Sequence, residues 1–213
     1  MCKLSMPDHC TQGLLVTFCG LDGCGKTSMI DYLSKEFAEY EPFLTKQPTD
    51  FVRASAIFRT YMDTPDHDAF DYRSLSLLAA SDRVQHSNRV ILPKLKEGGM
   101  VFSDRYLYSC LANLRARGYT SDGWIYEIAR SIPRPDVAFF FDIPVEVAMS
   151  RVRSRPEEKD RYIDVELQHR LRREYRDICR KNNGILISTG EPIEECYKKV
   201  KHAVLTALKA KGG

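Results

Sequence analysis

A three-layer α/β fold, with a five-stranded parallel sheet flanked by helices, is what this 213-residue sequence predicts. Three observations carry that prediction. Short apolar runs alternate with longer amphipathic segments along the chain, the pattern of parallel strands joined through helices. Gly98-Gly99 and Asn182-Asn183-Gly184 each stop a helical pattern directly before an apolar run, as helix C-terminal signals do. The first apolar run also ends in the glycine-rich stretch GLDGCGKTS, residues 20–28, with a helical pattern immediately after it.

The elements follow in order. Strands are expected at 14–19 (LLVTFC), 42–45, 100–103, 137–142 (VAFFFD) and 185–188. Helices are expected at 26–40, 51–62, 72–97, 107–117, 122–131, 145–155, 164–182 and 194–209. Pro93 lies inside the third of these and predicts a kink, because proline has no N–H to donate and crowds the preceding turn. No repeat or Pro/Gly/Ser linker interrupts the chain, so a single domain over 1–213 is expected, with 1–12 as a flexible N-terminal extension.

A net charge of +3 is too small to argue for nucleic acid or an anionic membrane as partner. No apolar run has the length of a membrane span. Residues 1–10 lack the charged start and apolar core of a signal peptide. The seven cysteines form no CxxC pair or zinc-ligand spacing, so reduced thiols in the cytoplasm are expected.

The stretch 20–28 satisfies GxxxxGK[ST] with Gly20, Gly25, Lys26 and Thr27, between a strand and a helix, the context that the motif requires. Glycines let successive N–H groups turn inward as a nest for anionic oxygens. ATP and Mg²⁺ are the implied ligands. Gly20, Asp22, Gly23, Cys24, Gly25, Lys26, Thr27 and Ser28 form the loop, with Lys26 reaching the β- and γ-phosphates and Thr27 ligating the metal. No NKxD tetrapeptide or LSGG element accompanies it, and the loop alone names no reaction. Cys24, beside Lys26 at a helix start, raises the question of a reactive thiol; a tolerated small residue is the simpler reading.

Further motifs are FSDRYLYS (102–109), AASDRVQ (79–85), RPDVAFFFDIPVEVAMSRVRSR (134–155), KDRY (159–162) and ELQHRLRREY (166–175). With the loop, they resemble the thymidylate kinase family of P-loop nucleoside monophosphate kinases over nearly the whole chain. The resemblance implies the P-loop nucleotide kinase fold and transfer of the ATP γ-phosphoryl to a thymidylate-like pyrimidine monophosphate. It further implies that Asp22 faces the acceptor sugar or metal region, that Asp104 orients Mg²⁺, and that Arg105 holds the acceptor phosphate. Segment 151–162 becomes a lid over ATP. Because Gly23 stands where some members carry a loop arginine, the catalytic cation falls to Arg155 and Arg161. A homodimer through 51–62 and 72–90 is implied, with nucleotides as the other partners.

On the acceptor side, Lys46, Pro48, Ala79, Arg83, Arg105, Ser109 and Asn113 are the expected contacts, and several depart from the family pattern. The usual REPGG loop is KQPTD, a stacking phenylalanine is Ala79, and the tyrosine and glutamine beyond Ser109 are Asn113 and Leu114. The lost volume leaves open a modified or ribo-pyrimidine acceptor, with Phe70, Tyr72, Tyr106 and Tyr108 as candidates to replace the ring. A nucleoside kinase using Asp50 as base and a non-catalytic relative are the remaining alternatives.

Overall fold

The computed structural model describes residues 3–63, 71–159 and 162–212. Strands β1 (Leu14–Gly20), β2 (Phe43–Lys46), β3 (Met100–Asp104), β4 (Val137–Asp142) and β5 (Ile185–Ser188) form one sheet in the order β2-β3-β1-β4-β5. Every neighbouring pair is parallel, so the predicted five-stranded parallel sheet is observed. A strand covered on both faces can be apolar throughout, and all seven residues of β1 are buried. Phe18 at its centre meets Phe102 and Phe139 at ring distances of 5.8 and 5.7 Å. From β1 the chain crosses first to the β2–β3 side and later to the β4–β5 side. The C-terminal ends of β1, β3 and β4 therefore open onto the crevice where such sheets bind ligands.

The helices are α1 (Lys26–Glu36), α2 (Asp50–Arg53), α3 (Ala56–Asp63), α4 (Tyr72–His86), α5 (Leu92–Lys96), α6 (Leu107–Ala116), α7 (Trp124–Ala129), α8 (Val145–Arg153), α9 (Val165–Lys181) and α10 (Ile193–Gly212). The single helix expected over 51–62 is two. Ser55 breaks it: its hydroxyl donates to the Val52 carbonyl at 2.6 Å and accepts from Phe58 N, starting α3 anew. The helix expected over 72–97 relieves Pro93 by widening instead, through a π-helical turn at Ser87–Ile91 just before it.

Residues 3–12 are not a loose extension. Leu4 and Met6 belong to the hydrophobic core, Leu4 N donates to Asn182 Oδ1, and Arg134 N donates to the Pro7 carbonyl. His9 and Lys211 both bind Asp136, at 2.9 Å each, tying this segment and α10 to the foot of β4. No described helix is long and apolar enough to cross a membrane.

Candidate active site

The loop between β1 and α1 is shaped by its glycines. Gly20, Gly23 and Gly25 have φ of +143°, +78° and +94°, a backbone that disfavours any side chain. At Gly23 space is also lacking: a Cβ there would lie 2.3 Å from the Ala148 carbonyl oxygen of α8. Lys26 is buried, its ammonium donating to the Leu21 and Gly20 carbonyls at 2.7 and 3.3 Å. Thr27 and Ser28 are exposed at the start of α1. Beneath the loop, Thr189 Oγ1 donates to the Cys24 carbonyl at 2.9 Å and Thr189 N to the Asp142 carbonyl.

At the end of β3 the chain turns sharply through Arg105, whose φ is +65°. Its N–H donates to Phe18 O at 2.8 Å, which holds the turn against β1. Its guanidinium donates to Asp22 in the phosphate loop, to Gly20 O at 3.2 Å and to Tyr175 Oη at 3.1 Å. Burial alone would lower the Arg105 pKa, but Asp22, Tyr175 and Asp104 outweigh it and hold it well above the ordinary value. Neighbouring Asp104 keeps a buried carboxylate oxygen, Oδ1, without a hydrogen-bond partner among the described residues.

The crevice beyond this pair is a cavity of about 480 Å³ between α4 and α6. Of the residues expected on the acceptor side, Pro48, Ala79, Arg83, Arg105, Ser109 and Asn113 line it, together with Gly20 and Asp22 from the loop. Arg83 is fixed by the Ala79 and Tyr106 carbonyls, at 2.9 and 3.3 Å. Lys46 is not brought there. It is exposed and pairs at 2.8 Å with Asp50, four residues on at the start of α2. Among the aromatic candidates, Tyr72 lines the cavity, whereas Tyr106 and Tyr108 are committed to the core; Phe70 lies outside the described residues.

Sequence reasoning missed Arg53, Phe58 and Arg117, which also line the cavity. Arg53 Nε donates to the Pro48 carbonyl at 2.8 Å. The helical spacing of Tyr72, Ser76, Ala79 and Arg83 was a usable signal, because it marks one face of α4. A second face, Ser109, Asn113 and Arg117, runs along α6. Five arginines and two aspartates around one polar cavity suit an anionic ligand.

A loop for a nucleotide's polyphosphate thus shares the Asp22–Arg105 pair with a cavity suited to a second anion. The thymidylate kinase family model matches residues 18–200. The chain belongs to the thymidylate kinase family. It is 36% identical to a probable thymidylate kinase of Pyrococcus horikoshii over 77% of this chain and 82% of that protein. A probable thymidylate kinase of Pyrococcus abyssi is 34% identical over 91% and 98%, and the thymidylate kinase of Onion yellows phytoplasma 27% over 88% and 95%. Thymidylate kinases are ATP-dependent nucleoside monophosphate kinases, and ATP is the phosphoryl donor.

The basic segment that would be the thymidylate kinase lid, residues 151–162, begins in the last turn of α8. Arg155 is exposed and outside the cavity lining, and Arg161 lies outside the described residues. Arg151 donates to the Thr189 carbonyl at 3.4 Å. Tyr162, Ile163 and Asp164, just beyond, do line the cavity. The thiols near the loop are shut in: Cys19 and Cys24 are fully buried, and burial pushes Cys19 up to about 12. The simpler reading of Cys24, a small residue filling the loop's underside, fits that burial.

Proposed function

We propose that the protein transfers the γ-phosphoryl group of ATP to thymidine 5′-monophosphate, giving the 5′-diphosphate and ADP. The observation that carries this is the Asp22–Arg105 ion pair, which makes the phosphate loop and the arginine-lined cavity adjoining parts of one site. ATP phosphates take the loop amides and Lys26. The acceptor's phosphate takes Arg105, and its nucleoside lies between α4 and α6 near Arg83, Ala79, Ser109 and Asn113. An acceptor phosphate oxygen bonds to the γ-phosphorus as the bond to the β–γ bridging oxygen breaks, and ADP carries that oxygen away. Both reactants are anions, so charge neutralisation and alignment are the protein's task, and no protein nucleophile enters. Arg155 and Arg161 are our candidates for the cation arriving from the lid.

A divalent cation fits the donor set. Thr27 presents an exposed hydroxyl and Asp104 a buried carboxylate oxygen without a hydrogen-bond partner among the described residues, and Mg²⁺ takes one or two protein ligands when phosphates and water supply the rest. Bound there, it would neutralise phosphate charge. The relatives' names favour thymidylate over the ribo- or modified pyrimidines that Ala79 and Asn113 leave open. A hydroxyl acceptor is disfavoured because Asp50, its would-be base, is tied to Lys46. Pairing of two copies through α2–α4, where Phe51 is 79% and Leu77 46% exposed, is tested by sedimentation.

ADP production from ATP with dTMP, UMP or CMP tests the reading. Turnover is expected with dTMP first, falling at least about 100-fold in Lys26→Met, the loss typical when one oxyanion-stabilising donor is removed. Absence of dTMP-dependent ADP production, or undiminished turnover in Lys26→Met, would overturn it.

A further inference from the structure

The cavity wall at the end remote from the phosphate loop is built around Arg117. Ser109, Asn113 and Arg117 follow one another at four-residue spacing along α6 and its C-cap, all on the cavity. A rise of 1.5 Å per residue puts Arg117 about 12 Å beyond Ser109. Arg105, which precedes α6, marks the phosphate end. Arg105 and Arg117 thus line the same cavity from opposite ends of α6.

Four contacts fix its guanidinium. Nη1 donates to Asn113 Oδ1 at 2.8 Å and to the Asn113 carbonyl at 3.2 Å. The guanidinium lies 3.9 Å from the Tyr72 ring centre and 5.2 Å from that of Tyr61, the stacking geometry that suits a planar cation. Asn113, in turn, donates to Ser109 O at 2.9 Å. Nε and Nη2 have no hydrogen-bond partner among the described residues. Burial lowers the Arg117 pKa to about 10, with Asp164 and Tyr119 acting the other way, so the group is charged at neutral pH. A preorganised cation with spare donors, facing a cavity, is a binding group for an oxygen acceptor.

We propose that Arg117 contacts the acceptor directly and donates to a carbonyl oxygen of its pyrimidine ring, with Asn113 and Tyr72 as positioning residues. Asn113, which stands where the family's tyrosine would be, thereby trades a ring for a clamp on an arginine. The assignment rests on the thymidylate reading. The two are separable, since wild-type turnover of dTMP tests that reading, whereas Arg117 is tested by nucleoside affinity alone.

Calorimetric titration with thymidine, which has no phosphate, is compared across wild type, Arg117→Lys, Arg117→Met and Asn113→Ala, with ADP binding as the check on the fold. Arg117→Met keeps the stem but has no donor, and it is expected to weaken thymidine about 10–100-fold, the size of a lost charged hydrogen bond. Arg117→Lys recovers part of that loss, Asn113→Ala shows a smaller one, and ADP affinity stays within about twofold throughout. Methionine restoring affinity as well as lysine does would make Arg117 a packing residue and overturn the proposal. So would thymidine and ADP affinity falling together, unchanged affinity in Arg117→Met, or a wild-type protein that does not bind thymidine.

Discussion

Replacing Gly23 by alanine pits one methyl group against the backbone of α8. The new Cβ would sit 2.3 Å from the Ala148 carbonyl oxygen and 3.1 Å from Val152 Cγ2. The nearest atom belongs to a helix backbone that cannot swing aside, so the loop must lift. The left-handed torsion, φ +78°, adds strain of about 1–2 kcal/mol for a residue with a Cβ. Overpacking adds about 1–3 kcal/mol. A chain of this size loses roughly 2–4 °C of melting temperature per kcal/mol, so a drop of about 5–15 °C is expected. Lifting the loop also turns its amides away from the triphosphate, and the KM for ATP should rise about tenfold or more while that for dTMP moves less. Thermal unfolding by circular dichroism and initial rates against ATP measure both. A variant melting within about 1 °C of the wild type, with an unchanged KM for ATP, would refute the view that α8 sets the loop's height. The same contact means that any side chain at this position, an arginine included, would have to displace the loop from α8.

Asp136→Asn should reveal the fastening of residues 3–12 and α10. Burial pushes the Asp136 pKa up, yet His9, Leu15 N–H and Lys211 together hold it below the ordinary 3.8. Its contribution is therefore complete above about pH 4 and drains away as pH falls through the lower folded value. The variant is expected to lose about 1.5–3 kcal/mol at pH 7 and to show a flatter fall in stability below pH 4 in urea titrations. Leu4→Ala or Met6→Ala should cost about 2–4 kcal/mol each, measured in the same way; a loss below about 0.5 kcal/mol would mean the segment is loosely attached. Brief alkylation followed by peptide mass spectrometry should label exposed Cys10 well ahead of buried Cys19 and Cys24, with or without ATP.

Legibility tracked how local each cause is. The five strands and the phosphate loop are written in contiguous residues, because a buried parallel strand is apolar throughout and a phosphate nest needs glycines at fixed offsets. The Asp104-Arg105 turn was equally legible from its place after the third apolar run. Side-chain partners were not. Lys46 lies exposed and paired with Asp50, four residues on, and nothing in KQPTD announces that pairing. Arg117 enters the cavity only because α4 brings Tyr72 beside α6, a meeting of residues 45 apart in sequence. The order of residues 3–12 depends on Asp136 and Asn182, which short-range periodicity cannot see. Pro93 signalled a disturbance correctly, but whether a helix kinks or widens depends on what it packs against.

Thr189 ties three donor-side pieces together through one residue: the Cys24 carbonyl of the phosphate loop, the Asp142 carbonyl at the end of β4 and, by its own carbonyl, Arg151. That half of the site is knitted largely from main-chain atoms, which keep their chemistry when neighbouring side chains mutate. The opposite half is a mosaic of side chains from separate helices. On the proposed assignment, inheritance and engineering can therefore rewrite which nucleotide is accepted, one residue at a time, while the grip on ATP persists.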